Sequence, residues 1–210
     1  MTRLIWSNDR SDALELPAER SCYPNGANSK GLVRRAIRAA NKAPDFRLPD
    51  QHGHRVTLSS LMRRGAVVLR FCRNENTAAC VREFSALPAL HNDVQRLGAG
   101  LVIIAVEPFD PRPLGRAARS FHFPILPDAG GKVAQSYGLT YQASGPTSRG
   151  ISSTNGNSKS GLRIMSAPAT FVIDPTGLVA LAFVDVECRT LMDHGQILMA
   201  LECLDKRKQS

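Results

Sequence analysis

Apolar residues along this chain fall into two kinds of pattern. Some form short solid runs, and others recur every three or four positions. "AVVLRFC" (66–72) and "LVIIAV" (101–106) are solid runs and predict strands, the second buried on both faces as central parallel strands are. Between them Val81, Phe84, Leu87, Leu90, Val94 and Leu97 mark one face of a helix, which Pro88 is expected to kink. "RPLGRAARSF" (112–121) predicts a helix, "FPIL" (123–126) a short strand, and "GKVAQSYG" (131–138) a helix closed by Gly138. "ATFVID" (169–174) and "LVALAFV" (178–184) read as strands joined by a turn at Pro175-Thr176-Gly177. "LMDHGQILMALECL" (191–204) predicts the last helix. This order, with parallel strands first and an antiparallel pair last, predicts an α/β domain with a mixed central sheet and helices on both faces.

Two segments stand outside the pattern. Residues 1–42 read as an N-terminal arm, polar at first, ending in a short basic helix over "GLVRRAIRAANK" (31–42) that Ala43-Pro44 breaks. Between Gly138 and Ala167 lies a stretch rich in Ser, Gly, Asn and Thr without clear period, read as a polar insertion at about 140–166. The expected domain is therefore 43–205.

Composition narrows the function classes. The chain has 210 residues, enough for one domain with a sizeable core. Its net charge of +9 is dispersed, apart from small clusters at Arg34, Arg35 and Arg38 and at Lys206, Arg207 and Lys208. Aromatics make up 6% and do not interleave with the charges, so nucleic-acid binding is not expected. No run is long enough to span a membrane, and the first 30 residues carry acidic side chains and no apolar run, so a cytoplasmic protein without signal peptide is expected. The five cysteines, Cys22, Cys72, Cys80, Cys188 and Cys203, have neither disulfide-framework nor zinc-ligand spacing. In a reducing compartment a cysteine that matters is reactive rather than cross-linked.

Cys80 is the cysteine to which the pattern gives a special place. It falls in the first turn of the helix after "AVVLRFC", where unpaired N–H groups and the positive end of the helix dipole favour a thiolate. Lowering a thiol pKa by about two units requires ~2.7 kcal/mol. A helix end supplies at most ~2 kcal/mol, so a cation is expected nearby.

Four motifs stand in order: "APDFRLPDQHGHRVTLSSL" (43–61), "VVLRFCR" (67–73), a T-x-x-C-x-x-E core at Thr77, Cys80 and Glu83, and "APATFVIDPTG" (167–177). Together they resemble the peroxiredoxin-like branch of the thioredoxin superfamily, the alkyl hydroperoxide reductase and thiol-specific antioxidant proteins. They are similar, in turn, to that family's opening segment, its first buried strand, its active-site core, and its proline-containing strand and turn. The resemblance covers roughly 43–205 and implies a thioredoxin-like fold and a thiol-dependent peroxidase that needs no cofactor. It implies that Cys80 attacks a peroxide, hydrogen peroxide or a small organic hydroperoxide, and that Thr77 hydrogen-bonds the thiolate. Thr77 as a plain helix N-cap is the other reading. It further implies an external reductant such as a thioredoxin or a low-molecular-weight thiol, and it is compatible with a homodimer.

The chain also departs from the family. Arg73 stands where the motif begins with proline, as arginine does in a related subgroup with "F-Y-R-G-x-W-C-P-Y-C"; aligned to that subgroup, Thr77 replaces the first cysteine. Dithiol–disulfide exchange is disfavoured accordingly. Pro168 stands where the family's late catalytic arginine would be, so the cation must come from Arg73, Arg70 or Arg163, with Arg73 the nearest. Pro168 resembles the cis-proline that faces the active-site cysteine in thioredoxin folds; a trans proline opening a strand is the alternative. Glu83 reads as polar support of the site or as a solvated helix residue. Cys72 reads as a small buried hydrophobe. Cys188 could resolve a sulfenic acid at Cys80, or be a packed thiol. No cysteine stands at a family-like spacing from Cys80, so turnover is expected to need no intramolecular disulfide. The competing function is a catalytically weak thioredoxin-fold module that senses oxidation or binds a partner.

Overall fold

The computed structural model describes residues 34–72, 78–105, 121–144, 162–185 and 192–208, with backbone alone at 78–82, 142–144, 162–164 and 207–208. The expected arm up to residue 33, the expected helix up to residue 120 and the middle of the polar insertion (145–161) lie outside the described residues.

The solid apolar runs became the centre of the sheet. β3 (Val67–Cys72) is buried at every position. It pairs in parallel with β4 (Gly100–Ala105), which pairs in parallel with β5 (Ile125–Pro127). On its other side β3 pairs antiparallel with β8 (Ala169–Ile173), and β8 with β9 (Val179–Val184). The sheet order is β5-β4-β3-β8-β9, the expected mixed sheet. The β8–β9 turn is set by Asp174, whose Oδ1 accepts from the backbone N–H of Thr176 and Leu178, and by Gly177 at φ 90°.

Strand alternation sorts the core into two layers. Val67, Leu69 and Phe71 face a layer containing α1 (Leu58–Met62), α3 (Lys132–Ser136) and the fully buried Tyr137. The ring of Tyr137 lies 5.1 Å from Phe71 and 5.2 Å from Phe171, and its hydroxyl donates to the Pro44 carbonyl at 3.0 Å. Val68 and Cys72 face the other layer, built by α2 (Ala78–Arg96) and α4 (His194–Lys208). Phe84, Leu87, Leu90 and Val94 of α2 are buried there, as their period predicts, and α2 continues through Pro88 as one helix.

The structure departs from the pattern in two places. Residues 36–42 are not helical. Ala40 N–H donates to Val179, Val179 N–H donates to Asn41, and Ala43 N–H donates to Gly177, so this segment covers part of the outer edge of β9. Pairing along an exposed strand edge outweighs the helix propensity of "RRAIRAA". The two ends of the polar insertion are also strands: β6 (Thr140–Ser144) and β7 (Leu162–Ser166) pair antiparallel in their own two-stranded sheet, as do β1 (Arg47–Pro49) and β2 (Arg55–Thr57).

The segment before residue 43 packs closely on the end of α3. Gly138, at φ 72°, brings its Cα so near residue 35 that an added Cβ would lie 2.1 Å from the Arg35 carbonyl oxygen. Gly138→Ala should therefore cost roughly 2–4 kcal/mol, from left-handed strain and backbone clash together. Gly53→Ala is the control: its φ is 84° but nothing lies within 4 Å of the new methyl, so only the strain remains. Chemical denaturation of both variants checks this, and equal losses would contradict the close approach at Gly138.

Candidate active site

Arg70 is a charged residue in the middle of a fully buried strand, and it needs a partner. By strand parity it shares the α2 face of β3 with Val68 and Cys72. Its partner is Glu83 of α2: Arg70 Nε donates to Glu83 Oε1 at 3.1 Å. The two are 2% and 7% exposed, so this is a buried ion pair rather than a surface one. Cys72 Sγ–H donates to the same Glu83 oxygen at 3.5 Å. Arg70 Nη1 is buried with no hydrogen-bond partner among the described residues.

Helical periodicity ties this cluster to Cys80. Cys80 is the third residue of α2, and Glu83 lies three residues on, so both positions share one helical face. The C-terminal end of β3 and the N-terminal end of α2 meet here, with Pro168 completing the edge. Register pairs Phe71 with Ala169, which sets Pro168 opposite Cys72 at the mouth of the sheet. Arg70, Glu83, Pro168, Thr170, Asp185 and Met192 line one small cavity. The sequence-expected residues Cys80, Glu83 and Pro168 thus gather at one end of the sheet.

The peptide bond before Pro168 is trans, against the cis form expected from the resemblance. Pro168 stands just before β8, where no ladder N–H is required of it, and its carbonyl accepts from Asp185 N–H at 2.9 Å. Of Arg163 the backbone alone is described, on β7 in the separate β6–β7 sheet. Thr77, Arg73 and Cys188 lie outside the described residues.

The electrostatics follow from burial. Glu83 is pushed above a glutamate's ordinary 4.5, first by burial; Arg70 and the Cys72 hydrogen bond pull it down, and the nearby Asp185 adds to the rise. Burial outweighs the ion pair because both members are out of water. His194, at the start of α4, is held below its ordinary value by burial and then by the positive charge of Arg70. The field of Arg70 therefore reaches the surrounding helices. Asp185 is the part of this cluster that sequence reading missed. It follows the last strand without a motif, and only β8–β9 pairing brings it back to Pro168.

A mixed sheet of this order, with a cysteine in the first turn of the helix after its central strand and a proline opening the facing strand, defines a peroxiredoxin-like protein of thioredoxin fold. The chain belongs to the AhpC/TSA family, whose profile matches residues 39–182. That membership places it among the thiol-dependent peroxidases. Peroxiredoxin 2 of Thermoplasma acidophilum is 34% identical over 117 residues, 52% of this chain and 57% of that one, so the match spans little more than half of that relative. The crystal structure of peroxidoxin BcpB from Mycobacterium tuberculosis superposes with a TM-score of 0.60 at 28% identity, covering 80% of this chain and 98% of that one. The reduced 2-Cys peroxiredoxin of Plasmodium vivax, at 15% identity, shares the fold with a TM-score of 0.61 over 82% of this chain and 84% of that one. Among the described residues no helix is long and apolar enough to cross a membrane.

Proposed function

We propose that this protein reduces hydrogen peroxide or small organic hydroperoxides with Cys80 as the peroxidatic thiol. The observation that carries the reading is the placement of position 80 in the first turn of a 19-residue helix, on the same face as Glu83, whose carboxylate anchors the buried Arg70. The Cys80 thiolate attacks the distal peroxide oxygen. The S–O bond forms as the O–O bond breaks, the thiolate becomes a sulfenic acid, and the leaving alkoxide takes a proton to depart as water or alcohol. The helix N-terminus favours the thiolate. Arg70 adds a positive charge that cannot move away, since its strand and Glu83 both hold it. In this reading Arg73 serves as a second cation, and the Thr77 hydroxyl hydrogen-bonds the thiolate and orients the peroxide. A thioredoxin or a low-molecular-weight thiol then returns Cys80 to the thiol. Cytoplasmic residence and a homodimeric assembly complete the reading.

The test is stopped-flow consumption of micromolar hydrogen peroxide, with mass spectrometry of each cysteine. Cys80 should be the first thiol oxidised, at a rate well above that of a free thiol at the same pH. Oxidation of Cys80 no faster than exposed Cys203 would replace the enzyme by the weak thioredoxin-fold module.

A further inference from the structure

We propose that the layer built by residues 34–64, with the Gly177 turn at its rim, is a docking surface for an anionic lipid bilayer. The inference is independent of the role given to Cys80.

Charge is the first observation. Between residues 34 and 64 the chain carries eight arginines and lysines against two carboxylates, Asp45 and Asp50, so +6 of its net +9 falls in this segment. All eight cations are exposed. The two carboxylates are engaged elsewhere. Asp45 Oδ1 accepts from the backbone N–H of Phe46 and Ser59, and Asp50 Oδ1 from those of His52 and His54. The second oxygen of Asp50 lies 3.4 Å from the His54 ring. None of the eight cations forms an ion pair with a described carboxylate.

The fold turns these charges to one side. Ala36, Phe46 and Leu58 are buried in the core layer that holds Tyr137, and Leu48, Val56 and Met62 pack against it. The segment therefore spends its apolar side chains on this layer, and its exposed cations lie on the outward side, away from α2 and α4.

At the rim the contacts are specific. A Cβ added at Gly177 would lie 3.6 Å from Met62 Sδ and 3.7 Å from Lys42 Cε, so the end of α1 and Lys42 meet over the β8–β9 turn. Arg63 and Arg64 follow Met62, and Lys42 forms a bridge with Leu178. Leu178 is 44% exposed, one of two large apolar side chains so exposed among the described residues. An apolar tip flanked by cations suits an anionic bilayer surface. The cations rest among the headgroups, and the leucine reaches the acyl boundary. A nucleic acid suits it less. Phe46 is the one Phe, Tyr or Trp between 34 and 64, and it is buried, so none of these rings is offered for base stacking.

The candidate active site stays clear of this rim. Val67, the first residue of β3, pairs with Ile173, which sets the 174–177 turn at the N-terminal end of β3. Position 80 lies beyond the other end, about 20 Å away for a strand of six residues. A chain docked by its rim leaves that end of the sheet uncovered.

The test is co-sedimentation of the full reduced chain with lipid vesicles. Phosphatidylcholine vesicles containing about 30% phosphatidylglycerol should bind it at least about tenfold more tightly than phosphatidylcholine alone. Raising the salt from about 50 to about 500 mM should release it. Each cation near such a surface strengthens binding about fivefold, so the triple variant Lys42→Gln, Arg63→Gln, Arg64→Gln should bind about a hundredfold more weakly. Arg63→Lys with Arg64→Lys should bind like the wild type. All three positions are exposed, so the denaturation midpoint should not move. Leu178→Ser should weaken vesicle binding about threefold or more. No binding to the anionic vesicles at low salt overturns the proposal. So does wild-type binding by the triple variant or by Leu178→Ser. Tighter binding to a DNA duplex than to the vesicles also overturns it, and would make the surface a nucleic-acid face.

Discussion

Cys80→Ser should abolish peroxide turnover and leave the fold intact. Serine is close to cysteine in size and, in the first turn of a helix, is if anything a better acceptor for the free N–H groups there. It cannot do the chemistry, because its hydroxyl stays protonated at neutral pH and is a poor nucleophile toward an O–O bond. Removing a nucleophile that forms the covalent intermediate typically leaves only background reaction, a loss of about three orders of magnitude or more. Helix content and the denaturation midpoint should stay near wild type, while peroxide consumption falls to that of buffer plus reductant. Wild-type turnover in this variant would remove Cys80 from the centre of the mechanism. Turnover lost together with the fold would instead point to a structural role, and circular dichroism separates the two.

How far the sequence showed this site depended on where each residue's partner lies. Cys80 and Glu83 were legible because both sit on one helix, and a three-residue spacing already implies a shared face. The strands β3 and β4 were legible because a run buried on both faces has nothing but apolar residues to show. Arg70 interrupts such a run, and that interruption was the available signal. A charge in a central strand must be paired, but sequence could not say with what. Its partner comes from α2, 13 residues later, through packing rather than pattern. The same reason hid Asp185 and the link between Cys72 and Glu83. The segment 36–42 was misread because local propensity favoured a helix, while the edge of β9 offered backbone partners that no local rule contains. The β6–β7 pair was missed because its strands are joined through a long polar stretch instead of a short turn with a recognisable signature.

Arg70→Met should destabilise the protein by about 3–5 kcal/mol near neutral pH, because it leaves the buried Glu83 without its cation. Methionine roughly matches the aliphatic stem of arginine, so lost packing contributes little and the charge decides the result. The pH dependence separates this cause from a mere cavity. Burial already holds Glu83 above 4.5, and Arg70 is the largest influence opposing that rise. Removing Arg70 raises the folded-state value further. A carboxyl whose folded pKa is raised binds more protons in the native state than in the unfolded one. Its contribution is then fully present below the unfolded pKa and is lost as pH rises through the folded value. In wild type that loss is limited by Arg70; in Arg70→Met it continues to higher pH. The stability gap between the two proteins should therefore be smaller in acid, where protonation of Glu83 removes the unpaired charge, and should widen as pH rises. Introducing Glu83→Gln into both wild type and Arg70→Met removes the titrating group, and the gap between those two variants should be nearly independent of pH. Urea denaturation of the four proteins from acid to neutral pH reads the outcome. A gap of constant size in Arg70→Met would mean that Glu83 does not titrate against Arg70, and that the charge beneath the start of α2 is balanced by another residue.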